Sequence, residues 1–216
     1  QMTAIDSTGA LYTWGINTGG QLGDGTTISK SSPVKIGSSS WSKIGVGYHF
    51  TSAINTSGSL YTWGRNDQGQ LGDGTTINKS SPVKIGTSSW SMANGGGYTT
   101  LAIDSTGALY AWGTNITGNL GYGDAVIQNK FSPIKIGTSS WSVVGAGSFA
   151  GYAIDLVGRL FTWGYNGSGE LGDGTTVNKS SPVQLVTNVF STKYDSWTIV
   201  TNSQSAPRAL RYDGTM

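Results

Sequence analysis

The pattern Trp-Gly-x-Asn-x-x-Gly-x-Leu-Gly-x-Gly occurs four times in the chain, beginning at Trp14, Trp63, Trp112 and Trp163. Self-similarity at a period of about fifty residues marks a repeat architecture, in which one small unit stacks on the next. A second series, Trp41, Trp90, Trp141 and Trp197, runs in step with the first. From Trp41 to Trp63, Trp90 to Trp112 and Trp141 to Trp163 the separation is 22 residues each time. From Pro33, Pro82, Pro133 and Pro182 to the next Trp the steps are 8, 8, 8 and 15. Constant length is what paired strands demand, because a one-residue slip turns every side chain to the wrong face. The variable pieces behave as loops.

Inside the constant block, Trp41–Gly47 reads as a strand ending in glycines, Thr51–Asn55 as a second and Ser59–Trp63 as a third. Asn55-Thr-Ser-Gly58 joins the last two, mirrored at Asp6–Gly9, Asp104–Gly107 and Asp155–Gly158. An Asx start and a late Gly suit a short hairpin. Pro33-Val-Lys-Ile36, with counterparts at 82–85 and 133–136, is proline-led and fits an edge strand. No stretch shows sustained helical periodicity. The chain is therefore expected to be all-β. Small antiparallel sheets of three or four strands repeated radially make a β-propeller, with units near 1–40, 41–89, 90–140 and 141–196 and a partial one at 197–216.

Thirty-four glycines suggest disorder, but eight Trp, ten Tyr and five Phe argue for packed units instead. Charged residues are 11% and the net charge is +2, so charge points to neither nucleic acid nor a membrane surface. The chain has no cysteine, which excludes disulfides and thiolate chemistry. No apolar run approaches the roughly 18 residues of a membrane helix, so membrane insertion is not expected. The ends overlap in the phase of the repeat, and adding 22 to Trp197 puts the next signature Trp at 219, past Met216. The expectation is a window from a longer chain rather than a complete four-unit ring.

The signature resembles the repeat of the regulator of chromosome condensation family. Trp63-Gly64, Asn66, Gly69-Gln70-Leu71-Gly72 and Gly74 carry the likeness, as do Trp14 with Asn17 and Leu22, Trp112 with Asn115 and Leu120, and Trp163 with Asn166 and Leu171. The resemblance implies blades of four antiparallel strands, seven to a ring, and seven units of roughly 50 residues need about 350. The chain would then supply about four blades of a larger ring. A histidine that the family commonly carries is replaced here, at Phe50, Thr99 and Ala150. Family members include an exchange factor for a small GTPase, secreted inhibitors, ubiquitin-ligase modules and repeats on bacterial and phage surface proteins. The short, near-identical, Ser/Thr-rich units are most like the bacterial, viral-particle or environmental versions, which favours an extracellular, cell-surface or virion-associated setting.

No motif supports an enzyme, and no cofactor or metal is called for. Each Gly-Asp-Gly-Thr-Thr loop (Asp24, Asp73, Asp173, with Tyr122 in the third copy) supplies one carboxylate, whereas calcium wants several. Lys79-Ser80 follows Asn78 rather than the Gly of a phosphate loop. The single histidine, His49, cannot build a zinc site without cysteines or other histidines. The signature Trp, Asn, Leu and Gly are expected to be structural: the Trp and Leu bury area, the Asn satisfies loop backbone groups, and the glycines permit tight turns. Lys30, Lys79, Lys130 and Lys179 recur at one phase and would form a weak basic stripe or a solvated face. Five Asn-x-Ser/Thr sequons (Asn55, Asn78, Asn115, Asn166, Asn178) follow from the abundance of Ser and Thr.

Local function should sit where equivalent positions differ. The loop after the first strand qualifies, with Tyr48, His49 and Phe50 matched by Tyr98 and Thr99 and by Ser148 and Phe149. Such loops would converge on one face near the axis and suit protein or glycan contact, although Phe50 could instead be core. The irregular Val183–Trp197 segment and the Asp124–Phe131 insertion are further candidates. The expected role is a non-enzymatic interaction or structural module with a protein partner. The alternatives are a carbohydrate-binding propeller and, by family analogy, a guanine-nucleotide exchange factor. Nucleic acid is not an expected partner.

Overall fold

The structure, a computed structural model, describes residues 1–123, 128–185, 197–202 and 207–211, the last two segments as backbone alone. Every regular element among them is a strand. β1 (Met2–Ile5), β2 (Leu11–Gly15) and β3 (Lys30–Lys35) form the first sheet. β4 (Trp41–Gly47), β5 (Phe50–Asn55), β6 (Leu60–Gly64) and β7 (Lys79–Lys84) form the second, each antiparallel to the next. The third sheet takes β8 (Trp90–Gly95), β9 (Thr99–Asp104) and β10 (Ala108–Gly113). It shares the long strand β11 (Lys130–Ala146) with the fourth, which adds β12 (Ala150–Asp155), β13 (Leu160–Gly164) and β14 (Lys179–Gln184). A hairpin of β15 (Trp197–Asn202) and β16 (Pro207–Arg211) follows. These are the blades of a partial β-propeller.

Registers confirm the fixed block. Trp41 opposes Asn55, Trp90 opposes Asp104 and Trp141 opposes Asp155, each followed by the same one-residue irregularity. The hairpins are Asx turns: Asn55 Oδ1 accepts the N–H groups of Ser57 and Ser59, at 3.1 and 2.8 Å. Asp6, Asp104 and Asp155 bond the matching pairs. The proline-led edge strand is longer than its sequence suggests. It begins at the lysine, with Lys30 opposite Gly15 and Lys79 opposite Gly64. In the third unit it does not end at 136 at all. Ser140 still pairs with Ala108, so the outer strand of one blade runs on into the inner strand of the next as β11.

Antiparallel order sends β4 and β6 one way and β5 and β7 back. The 48–49 loop and the signature loop 65–78 therefore share one end of the blade, and the 56–59 hairpin and the 85–89 linker share the other. Exposure follows position in the stack. β5 is buried at five of six positions and β9 at all six, because neighbouring sheets cover both faces. The outermost β7 is nowhere fully buried. Clusters fill the space between blades, such as Ile54, Leu60, Ile85, Trp90, Ala93, Ala102 and Trp112. Trp41, Trp90 and Trp141 meet Tyr61, Tyr110 and Phe161 edge to face, with centroids 5.0–5.3 Å apart. Their indole N–H groups find no oxygen or nitrogen partner.

Candidate functional site

The signature residues are consumed by the scaffold. Trp63, Trp112 and Trp163 are fully buried, while Trp14 is half-buried. Each buried indole donates to a carbonyl of the preceding unit: Trp63 to Gln21 at 3.1 Å, Trp112 to Gln70 at 3.0 Å and Trp163 to Asn119 at 3.1 Å. The ring lies against the glycine after the signature Leu, and a Cβ on Gly23 would stand 2.5 Å from Trp63 Nε1. That glycine also sits at φ +78°, a second reason no other residue suits it. Leu22, Leu71, Leu120 and Leu171 are buried beneath the same loops.

The signature asparagine organises its own loop. Asn66 Nδ2 donates to Asp73 Oδ1 and to the carbonyls of Thr75 and Ile77 at 3.0–3.2 Å, and its Oδ1 accepts the Leu71 N–H at 2.9 Å. Asn17 and Asn166 repeat this set, and Asn115 Oδ1 accepts the Leu120 N–H. The loop aspartates are equally committed. Asp24, Asp73 and Asp173 pair with Lys30, Lys79 and Lys179 at 3.2–3.4 Å. The Thr175 hydroxyl, outweighing the cost of burial together with the other bonds there, holds the Asp173 carboxyl down at about 2. Burial pushes Asp73 up, but the Thr75, Asn66 and Lys79 contacts together keep it below the ordinary value. Tyr122 replaces the aspartate in the third unit, and Lys130 lies 5.0 Å over its ring. The recurrent lysines are thus partnered locally and do not make a free basic stripe.

The loops after the inner strands do converge. His49, Tyr98 and Phe149 occupy one position: their carbonyls accept the N–H of Arg65, Thr114 and Tyr165 at 2.8–2.9 Å. Rungs link one loop to the next unit, from Tyr48 N to Gly96 O at 3.0 Å and from Gly97 N to Gly147 O at 3.2 Å. A cavity of about 890 Å³ opens there, bordered by Tyr48, Tyr98, Ser148 and Phe149. Tyr48 is 48% exposed and Phe149 38%. The Tyr48 ring stands edge-on to His49 at 4.2 Å and to Tyr98 at 5.9 Å.

Two expected face residues are not there. Phe50 is fully buried, and its ring packs where a Cβ on Gly47 or Gly95 would be. Thr99 is also buried, donating to Thr114 O and accepting from Asn119 Nδ2 at 2.7 Å. Both belong to the second strand, which neighbouring blades cover. The segments 124–127 and 186–196, which fall in the other two candidate regions, lie outside the described residues. Arg65, beside Tyr98, and Asp67, bonded to it, are not among the expected face residues. Arg65 grips Asp67 through two bonds of 2.9 and 2.6 Å and sits 5.2 Å over Tyr98. The differing x positions after Trp-Gly (Ile16, Arg65, Thr114, Tyr165) were the available signal.

His49 is the one non-glycine residue at positive φ, 64°, among the described residues. Its Nδ1 lies 2.9 Å from Gln21 Nε2. Burial, then the charge of Arg65, pushes the imidazole below its ordinary value. Among the described residues no three His, Cys, Asp or Glu side chains gather as for a metal, and no helix is long and apolar enough to cross a membrane.

The repeat model described as the regulator of chromosome condensation (RCC1) repeat matches residues 8–54, 57–103, 106–153 and 157–197. The chain belongs to this family. No sequence among curated proteins matches it. Solved structures do: human WBSCR16, with TM-score 0.81 and 22% identity over 93% of this chain and 52% of that one. Yeast RCC1 (Prp20), solved bound to Kap60, gives TM-score 0.82 and 18% identity over 97% of this chain and 52% of that one. Prp20p from Saccharomyces cerevisiae, described with its binding to Gsp1p and histones, gives 0.73 and 21% over 86% and 48%. At such identities the likeness is one of fold. The chain spans about half the length of these RCC1-type propellers.

Proposed function

We propose that this chain is a non-enzymatic protein-interaction module that engages a partner through the signature end of its blades. One observation carries the reading. The signature Trp, Asn and Leu that repeat between units are buried or bonded within the scaffold, whereas Tyr48, His49, Arg65, Tyr98 and Tyr165, which break the repeat, stand in the loops at that end. A scaffold made of repeats places its specificity where the repeat is broken. Exposed aromatics beside an arginine are the residue types enriched at energetic centres of interfaces. The yeast RCC1 structure solved with Kap60 lends family-level support for a protein partner. Exchange on a small GTPase would rest on family membership alone, and membership does not specify a site.

The proposal includes a setting in a larger surface- or particle-associated protein, extracellular or virion-borne. Its support is compositional, namely near-identical Ser/Thr-rich units with only 11% charged residues. Fractionation of the source material with an antibody to the chain tests it. For the interface, a partner is captured by crosslinking and its affinity measured against two variants. The triple change Arg65→Ala, Ile116→Ser and Tyr165→Ser alters the signature end. Leu156→Ser with Val157→Ser alters the hairpin end, where both residues are 68% exposed. Affinity should fall at least about tenfold for the first alone. Equal loss in both, or loss only in the second, overturns the reading.

A further inference from the structure

At the position shared by His49, Tyr98 and Phe149 the contact common to all three units is the backbone carbonyl. Any residue supplies a carbonyl, so that shared contact does not by itself call for a ring. A ring is present all three times, and Tyr48 adds a fourth. Three of these four, Tyr48, Tyr98 and Phe149, border the 890 Å³ cavity.

The rest of that cavity is unusual in its chemistry. No charged side chain lines it among the described residues. Its floor is glycine backbone, and packing keeps it so: a Cβ on Gly95 would lie 2.6 Å from Gly47 N, and one on Gly45 would lie 2.3 Å from Ala93 O. Neutral polar groups stand on the wall. Asn94 gives its Nδ2 to Val144 O at 2.9 Å, and Thr3 also lines the cavity.

We infer that this cavity is a binding site for a neutral oligosaccharide. The C–H faces of pyranose rings stack on Tyr48, Tyr98 and Phe149, and sugar hydroxyls bond the Asn94 amide oxygen, Thr3 and the tyrosine phenols. A few well-placed polar groups in an otherwise apolar cleft are what fix a ligand's orientation. The wall disfavours the competing ligands. Among the described lining residues an anion finds no cation, and Arg65, over the Tyr98 ring, is bonded twice to Asp67. A peptide adding as a strand finds the inner-loop N–H groups of Tyr48 and Gly97 already bonded across blades. The inference shares Tyr48 and Tyr98 with the protein-partner reading, and the two are told apart because that reading is tested on Arg65, Ile116 and Tyr165.

Titration calorimetry of the full chain against maltohexaose, cellohexaose, xylohexaose and chitohexaose tests it. A heparin-derived hexasaccharide and sialyllactose serve as charged probes. At least one neutral probe should bind with Kd on the order of 0.1 mM. Tyr48→Ala and Phe149→Ala should each weaken it about tenfold, with a cooperative thermal melt retained in both variants. Asp67→Ala should leave binding as it is. The inference is overturned if no neutral probe binds at millimolar concentration, if only charged probes bind, or if binding survives both aromatic deletions.

Discussion

The carbonyl of Gln21 accepts two donors from the following blade, Trp63 Nε1 at 3.1 Å and Thr51 Oγ1 at 2.9 Å. Gln70 serves Trp112 and Thr100 in the same way. In the fourth blade the hydroxyl is missing, since Gly151 stands there and the Trp163 ring lies where a Cβ would be. The signature loop of one unit is therefore the receptor for the Trp of the next. Its conserved look within this chain reflects an interface between blades, where ring area and a buried donor must be satisfied together.

Removing that ring should be among the costliest single changes in the chain. Trp63→Ala leaves a cavity between two blades and an unfilled loop, and should destabilise by about 3–5 kcal/mol. Trp63→Phe keeps apolar volume and leaves Gln21 still bonded by Thr51, so about 1–2 kcal/mol is expected. Trp14→Ala, at a half-buried ring, should cost less than Trp63→Ala. Urea midpoints of the three variants check the order. Equal losses at Trp14 and Trp63 would contradict the interface account.

Asn66→Asp is nearly isosteric but replaces an NH₂ that makes three short bonds. A carboxylate oxygen would then face Asp73 Oδ1, which lies 3.0 Å from Nδ2, and the carbonyls of Thr75 and Ile77. Acceptors set against acceptors in a covered loop should cost about 3 kcal/mol or more at pH 7. Protonating the new acid restores one donor. The gap to the parent chain should therefore narrow when melts are repeated at pH 4, and a constant gap would show that like-charge contact is not the cause.

Much of this was legible in the sequence, for reasons tied to particular residues. The Asx hairpins could be read because Asn55 and Gly58 act on backbone within four residues. The register could be read because Trp-to-Trp spacing is fixed. What escaped was non-local. Gln21 offers the Trp63 indole a carbonyl, and a carbonyl has no sequence signal. Phe50 and Thr99 look like loop residues in one dimension and are buried because two sheets cover the strand they begin. The lysine ladder was the nearer miss. Lys30 follows Asp24 by six residues, as Lys79 follows Asp73 and Lys179 follows Asp173, and the unit that lost the aspartate put Tyr122 under Lys130.

His49 makes the stability of the candidate face depend on pH. Gln21 Oε1 accepts the Gly19 N–H at 2.8 Å, which fixes the amide and turns Nε2 toward the imidazole. His49 Nδ1 is then the acceptor, and the ring is neutral with its proton on Nε2. Protonating Nδ1 would set donor against donor beside Arg65, in keeping with a folded-state pKa pushed below the ordinary value by burial and then by that charge. The unfolded chain, titrating near about 6.5, binds more protons in this window. Stability is present in full above that pH and is lost as pH falls toward the folded value. Asn tolerates a positive φ and does not titrate, so His49→Asn should lose the slope. Urea midpoints of parent and variant at pH 7.5 and pH 5 decide it: the parent should fall over that interval and His49→Asn should stay flat, whereas parallel falls would assign the pH response to other groups.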